Sequence, residues 1–307
     1  MGSILEALGK QPLFFDGAMG TELQKRGFSQ DPAILNRTHP TEIISVHREY
    51  LEAGTDIITA NTFGAYTHKH SDAAEMIEAA IAHGRKALSD FSNKTDEAKK
   101  CESGKAPGTT CKRGDKWLAL DLGPTGLMLE PYGDTTKEEC QQIYNAAVNA
   151  GAAADMILIE TMMDLAELEI AVTEAKATGL PVFATMSFDK KGRTMMGASV
   201  GDMVSLLEGL GVDALGVNCG FGPDIYLPLV AELKEKTRLP IIVQPNAGMP
   251  VANVTESVGS GAVGAVQYDL SVEDFAAAVA SMGVDIMGGC CGTSPAHIKA
   301  LIHMNRS

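Results

Sequence analysis

The sequence is short of positive charge, of long apolar runs and of anything resembling a leader, and each shortage removes a class of function. Its 307 residues carry 25 Lys and Arg against 39 Asp and Glu, a formal charge of −14. A sequence-independent nucleic-acid binder needs a basic surface to neutralise phosphates, so that class is excluded. No apolar run approaches the roughly 18 residues that a bilayer-crossing helix needs. The opening residues, MGSILEALGKQPLFF, lack a basic region followed by a cleavage site, so the expected location is the cytoplasm. Internal repeats, low-complexity blocks and an HExxH-type metal motif are also missing.

What remains is core-forming material, with 45% hydrophobic and 21% charged residues. The length would accommodate two domains, but one α/β barrel also reaches it. Short apolar runs recur at Leu13–Phe15, Asp56–Thr59, Trp117–Leu120, Met156–Ile159, Val182–Ser187, Ala214–Val217, Ile241–Val243 and Val284–Met287. Helix-like stretches lie between them, at Thr41–Glu52, Ala73–Ser89, Thr136–Ala150, Leu165–Thr178 and Asp224–Lys236. Eight strands alternating with helices predict an α/β fold, a (β/α)8 TIM barrel forming a single domain over residues 1–307. Residues 92–116 break the rhythm: rich in Lys, Gly, Ser and Thr, they read as a mobile surface loop before strand three. Cys101 and Cys111 in that loop fit no metal-knuckle spacing and read as exposed thiols.

In a barrel the chemistry belongs at the C-terminal strand ends. The residues just past the apolar runs are Asp16, Asn61, Asp121, Glu160, Ser187, Asn218 with Cys219, Gln244 with Asn246, and Gly288–Cys291. Strand ends are polar in most proteins; carboxylates, amides and cysteines concentrated at these mouths are not so general. Cys219 in GVNCG and Cys290–Cys291 in MGGCCGT leave neighbouring mouths and can converge on one Zn²⁺. Flanking glycines let adjacent cysteines turn towards one ion. Buried free cysteines acting as small hydrophobes are the competing reading, which suits a vicinal pair in a Gly-rich turn poorly. Three protein ligands leave a fourth position open, as in catalytic zinc sites. A thiol bound there would be held deprotonated, so alkyl transfer to sulfur suits the site better than water activation.

Other residues invite assignment and resist it. His68, His70 and His83 fall on or near the helix beyond strand two and read as helix-face residues rather than ligands. Tyr66 and Tyr132 lie near the mouth, to cover a substrate or merely to pack. Met162, Met163, Met195 and Met196 cluster at strand mouths, where flexible apolar side chains suit a broad cofactor face. Cys140 lies on a helix and reads as buried and inert.

The segments DGAMGTELQ (16–24), GTDIITANTF (54–63), DLGPTG (121–126), ILIETMMD (157–164), GVNCG (216–220), QPNAGMP (244–250) and GGCCGTSPAHI (288–298) resemble the homocysteine S-methyltransferase family. Within it, the sequence is most similar to the homocysteine-binding module of cobalamin-dependent methionine synthase. The resemblance spans nearly the whole chain. It implies a (β/α)8 barrel with zinc on Cys219, Cys290 and Cys291. It places the amino-acid end of homocysteine at Asp16, Gly17 and Ala18 and on Glu160, with Asn61, Asn218 and Asn246 as further orienting residues or turn caps. The chain ends soon after the barrel with LIHMNRS, so the methyl group is expected from a separate methylated corrinoid (cobalamin) protein. A betaine-like or sulfonium donor, a different thiol acceptor, and a non-catalytic zinc- or thiol-binding subunit are the alternatives.

Overall fold

The structure is a computed structural model and describes residues 3–102, 115–251 and 266–306. The strands are β1 (Leu13–Phe14), β2 (Ile57–Thr59), β3 (Trp117–Leu122), β4 (Met156–Met162), β5 (Val182–Met186), β6 (Ala214–Asn218) and β7 (Ile241–Gln244). Then come a two-stranded ribbon, β8 (Pro250–Val251) with β9 (Gln267–Tyr268), and the last barrel strand, β10 (Ile286–Met287). The helices are α1 (Ile4–Ala7), α2 (Met19–Lys25), α3 (Pro32–Thr38), α4 (Pro40–Ala53), α5 (Ala73–Glu102) and α6 (Lys137–Ala150). After them follow α7 (Leu165–Ala177), α8 (Val200–Leu210), α9 (Tyr226–Lys236), α10 (Val272–Ser281) and α11 (Pro295–Arg306).

Eight parallel strands form one sheet in the order β1-β10-β7-β6-β5-β4-β3-β2. The seam closes through a parallel bridge between Phe15 and Ile57, with Asp16 N–H donating to Ile57 O at 3.0 Å. Asp56 secures that seam from below. Its carboxylate accepts the Phe14 N–H at 3.1 Å and pairs with Lys116 at 2.9 Å and Arg306 at 2.6 Å, so the buried charge is compensated. The expected (β/α)8 barrel is therefore the fold.

Strand periodicity explains why the barrel is dry below and polar above. Successive side chains alternate in direction, so residues i, i+2 and i+4 share a face. The inner face of β3 reads Trp117, Ala119, Asp121; that of β4 reads Met156, Leu158, Glu160; that of β7 reads Ile242, Gln244. The apolar members join Leu13, Phe15, Phe183 and Ile286 in one buried cluster, which Ile4 of α1 plugs from below. The polar members all come last, at the C-terminal mouth. A second, larger apolar layer, including Phe14, Leu118, Leu120 and Phe275, lies between strands and helices.

One expectation needs adjustment. Residues 92–102 were expected in a surface loop but complete α5, consistent with the helix-favouring Ala, Lys and Glu of DEAKKCE. Residues 103–114, with Cys111, lie outside the described residues, as does the side chain of Cys101. Among the described residues no helix is long and apolar enough to cross a membrane.

Phe183 sits at the centre of the dry interior, edge-on to Phe15 with ring centroids 6.4 Å apart. Replacing it with alanine should cost about 3–5 kcal/mol of unfolding free energy, measured by chemical denaturation. A loss below about 1 kcal/mol would contradict this packing.

Candidate active site

Sequence spacing suggested that the cysteines leave neighbouring strands, but β7 lies between β6 and β10. The exit loop of β7 solves the geometry by bonding to both sides. Cys219 N–H donates to Gln244 O at 3.0 Å, and Asn246 N–H to Phe221 O at 3.0 Å. On the other side Cys290 N–H donates to Pro245 O at 2.8 Å, and Ala247 N–H to Cys291 O at 3.0 Å. Cys219 also takes a left-handed backbone, φ 59°, uncommon for a residue with a side chain. Together these bring the sulfurs of Cys219, Cys290 and Cys291 within 4.8 Å of one another, with 4.0 Å between Cys290 and Cys291.

The Gly17 turn locks the CCGT turn in place. Thr293 hydroxyl donates to Cys290 O at 2.7 Å and accepts the Ala18 N–H at 3.2 Å, while Tyr50 hydroxyl reaches Ala18 O and Thr293 O. A Cβ at Gly17 would lie 2.5 Å from Thr293 Oγ1 and 2.9 Å from Tyr50 Oη, so only glycine permits this contact.

The thiols open onto a cavity of about 610 Å³, within the usual range for small-molecule sites. Asp16, Gly17, Ala18, Asn61 and Glu160 line it, together with Asp31, Thr59, Lys69, Asp121, Gln244 and Tyr268. Carboxylates thus outnumber the cation Lys69 on the described wall. Thr59 fixes Asp16 through its N–H and hydroxyl, both at 2.9 Å. Asp121 Oδ1 and Gln244 Oε1 are buried with no protein donor. Acceptors left in this state suit an incoming ammonium group.

Three expected residues act from behind the wall or through the frame. Asn218 is fully buried and does not line the cavity. Its Oδ1 accepts from Thr161 N–H at 2.7 Å and Thr185 hydroxyl at 2.8 Å, and its Nδ2 donates to Glu160 Oε2 at 3.3 Å. It also holds Thr161, whose φ of 61° is strained for a β-branched residue. Asn61 spends its amide on Pro32 O and Asn36 Oδ1, fastening α3 to the β2 mouth. Asn246 serves the β7 loop through its backbone, and its side chain does not reach the cavity wall. The first turn of α2 has no side-chain cap, and Ala18 N–H is taken by Thr293. That leaves the N–H groups of residues 19–21 to meet an anion at the cavity edge.

The histidines are not ligands: His68 bonds Thr125 O, His70 bonds Asp31 and His83 bonds Asn36 O. Tyr66 is buried on Gly123 O, whereas Tyr132 is exposed. Cys140 is buried on α6, its thiol pushed up to about 12 by burial. Asp121, Thr59, Gln244 and Tyr268 were not singled out as binding residues. Asp121 and Gln244 had been placed at their strand mouths without a role, and period-two counting along β2 could have added Thr59. Tyr268 lies on a ribbon that carried no sequence signal.

Electrostatics agree with an acidic cavity awaiting a cation. Burial pushes Asp16 up to about 7 against its Thr59 hydrogen bonds. Burial first, then the Cys291 charge and Asp16, raises Glu160 to about 8. Burial, Glu160 and Asp16 lift Asp121 well above the carboxylate range. Among the thiols, hydrogen bonds from Cys219 and Cys290 hold Cys291 down at about 3. Cys290, the donor to both neighbours, is pushed far up. The three sulfurs thus act on one another's protons, which a divalent cation would replace.

Comparison with known proteins agrees with this geometry. The model of a family described as homocysteine S-methyltransferase matches residues 13–304. A methionine synthase of Mycobacterium tuberculosis is 32% identical over 318 residues, covering 96% of this chain and 25% of that protein. A methionine synthase of Mycobacterium leprae is 31% identical over 314 residues, covering 96% of this chain and 24% of its own. The chain thus spans about a quarter of the length of these relatives. The homocysteine methyltransferase MmuM of Escherichia coli, in its oxidized form, superposes with a TM-score of 0.73 at 26% identity, covering all of both chains.

An amino acid without a thiol, such as L-homoserine, isolates the carboxylate cluster. Its ammonium favours ionised Asp16 and Glu160, so binding should release protons near neutral pH. Affinity should rise from about pH 6 to about pH 8, as these raised groups lose their protons. Calorimetry in buffers of different ionisation enthalpy checks this; affinity independent of pH would contradict it.

Proposed function

The chain belongs to the homocysteine S-methyltransferase family, and we propose that it methylates the sulfur of homocysteine to give methionine, at a zinc ion held by Cys219, Cys290 and Cys291. The observation that carries this reading is the convergence of three thiols on the wall of an acidic cavity. The donor set fits zinc: tetrahedral ligation at about 2.3 Å spaces sulfurs by about 3.8 Å, close to the 4.0 Å between Cys290 and Cys291. When bound, zinc would supply an open position and a positive charge that keep a substrate thiol deprotonated at neutral pH.

The protein's own groups then orient the substrate. Glu160, Asp121 and Asp16 receive the ammonium, and the open first turn of α2 receives the carboxylate. Asn218 and Thr59 hold two of those carboxylates in position, which keeps the substrate sulfur over the thiol cluster. In the transfer the substrate sulfur lone pair forms the S–C bond, and the electron pair of the broken methyl bond leaves with the donor.

The donor in this proposal is a methylated corrinoid. Two methionine synthases among the relatives support it. So does the rim of the mouth, where Phe63, Met128, Tyr132, Met195, Met196 and Met249 are exposed. Flexible thioethers on loops suit a broad apolar face.

The direct test mixes zinc-loaded protein with methylcobalamin, with and without L-homocysteine, and follows loss of the methyl–cobalt absorbance and formation of methionine. Homocysteine-dependent demethylation supports the full reading. Methionine formed only from a betaine-like or sulfonium compound would overturn the corrinoid donor and leave the thiol site standing. Cys290→Ala should lose both zinc and turnover; full activity in that variant would refute the metal assignment. Glu160→Ala should keep zinc and weaken homocysteine binding by about 3 kcal/mol, read as KM and by calorimetry. Unchanged affinity would remove Glu160 from the substrate site.

A further inference from the structure

The loop that leaves β2 is fastened to the loop that leaves β3. Thr62 hydroxyl donates to Asp121 O at 2.7 Å and accepts the Asp121 N–H at 3.0 Å. Tyr66 hydroxyl donates to Gly123 O, and His68 Nε2 meets Thr125 O at 3.1 Å. His70 Nε2 ties the same loop to Asp31 at 3.0 Å. Two side chains of this loop take no part in the fastening and line the cavity instead, Phe63 and Lys69. The Phe63 ring lies against Gly123 and is 43% exposed. The Lys69 ammonium sits between Gly64 and Gly126, 3.8 Å from where a Cβ on either would lie, and 5.7 Å from the Tyr66 ring centroid. Among the described residues it has no ion pair or hydrogen bond.

The position of this pair decides what it can meet. In the closed sheet β3 lies four strands from β7 in either direction, so the β3 loop stands across the mouth from the thiol cluster. An eight-stranded barrel is about 15 Å across. Homocysteine spans about 6 Å from sulfur to carboxylate at ordinary bond lengths. With its sulfur at the cysteines it reaches the inward-facing carboxylates and leaves the far wall free. The cavity of about 610 Å³ has room for a second molecule beside it. Charge then sorts the ends of that molecule. Asp16, Asp31, Asp121 and Glu160 on the same wall repel an anion, and Lys69 is the cation there, among the described residues, that attracts one.

We propose that Lys69 and Phe63 form a subsite for the methyl donor: the ammonium receives an anionic oxygen group of the donor, carboxylate or phosphate, and the ring packs on its apolar part. The proposal rests on the methyltransferase reading above. A donor held in this way presents its methyl-bearing centre towards the thiols and keeps its anion away from the carboxylates. A small zwitterion supplies that anion as a carboxylate; a corrinoid supplies it as the phosphate of its nucleotide tail. Lys69 thus acts on the donor and leaves the acceptor to the groups already described.

Lys69→Met keeps an unbranched stem and removes the charge; it is compared with wild type and Lys69→Arg in zinc-loaded protein. Initial rates give KM separately for L-homocysteine and for each donor. The donors are methylcobalamin, methylcobinamide (which lacks the nucleotide phosphate), glycine betaine and dimethylsulfoniopropionate. For the donor that the wild type uses, Lys69→Met should raise donor KM about 5-fold, the upper end for an exposed charge pair. Homocysteine KM and the melting temperature should stay unchanged, Lys69→Arg should stay close to wild type, and added salt should narrow the difference. A phosphate partner makes the wild type prefer methylcobalamin to methylcobinamide, and Lys69→Met erases that preference. A carboxylate partner puts the effect on glycine betaine or dimethylsulfoniopropionate. An unchanged donor KM overturns the proposal while the methyltransferase reading stands. A rise in homocysteine KM alone also overturns it, by assigning Lys69 to the acceptor. A lowered melting temperature with both constants raised does the same, by making the lysine structural. A wild-type protein that makes methionine from none of the four donors defeats the methyltransferase reading, and this proposal with it.

Discussion

The rest of the site depends on one geometric constraint: sulfurs from β6 and β10 must meet across an intervening strand. Parallel strands place Cα atoms about 4.8 Å apart, so β6 and β10 are separated by roughly twice that distance. A cysteine side chain cannot span the gap from ideal strand geometry. The chain meets the demand by ending β6 in a left-handed Cys219, by turning at Cys290–Cys291, and by bonding both to the exit loop of β7. Glycines at positions 17 and 292 follow from the same demand, since each lies where a neighbouring element presses on the CCGT turn.

The acidic cavity is the electrostatic counterpart of that constraint. Asp16, Asp121 and Glu160 come from three separate strands, and burial discourages all of them from ionising together. Such a cluster destabilises the empty protein and gains most when cationic groups arrive. The buried frame around it, Asn218 under Glu160 and Thr59 under Asp16, prevents the carboxylates from turning away to find other partners. The strained Thr161 beside Glu160 is kept by the same amide, which places backbone strain on the wall of the cavity.

Much of this was legible in the sequence because it follows from period and punctuation. Apolar runs of strand length, separated by helical stretches, predict the barrel, and each of the eight runs overlaps a barrel strand. Cys219, Cys290 and Cys291 were identifiable as a set because glycines surround them at two strand mouths. What sequence spacing could not supply was lateral order. Strands six and eight read as neighbours until hydrogen bonding showed β7 between them. Nor could it separate Asn218 and Asn246 from the cavity wall, because one residue's shift along a strand end exchanges a lining position for a supporting one. The 92–102 segment misled by composition: Lys, Ser and Thr suggested a loop, while consecutive helix formers extended α5. Tyr268 was invisible because its ribbon is two residues per strand, too short for any pattern.

In the proposed reading the three cysteines form one metal site open to a fourth, substrate sulfur. Zinc-edge X-ray absorption of the loaded protein, recorded with and without L-homocysteine, addresses it directly. The expected spectrum fits three sulfurs near 2.3 Å plus one lighter ligand in the free protein, and four sulfurs once homocysteine is added. Fewer than three sulfurs in the free protein, or a spectrum indifferent to homocysteine, would contradict the claim.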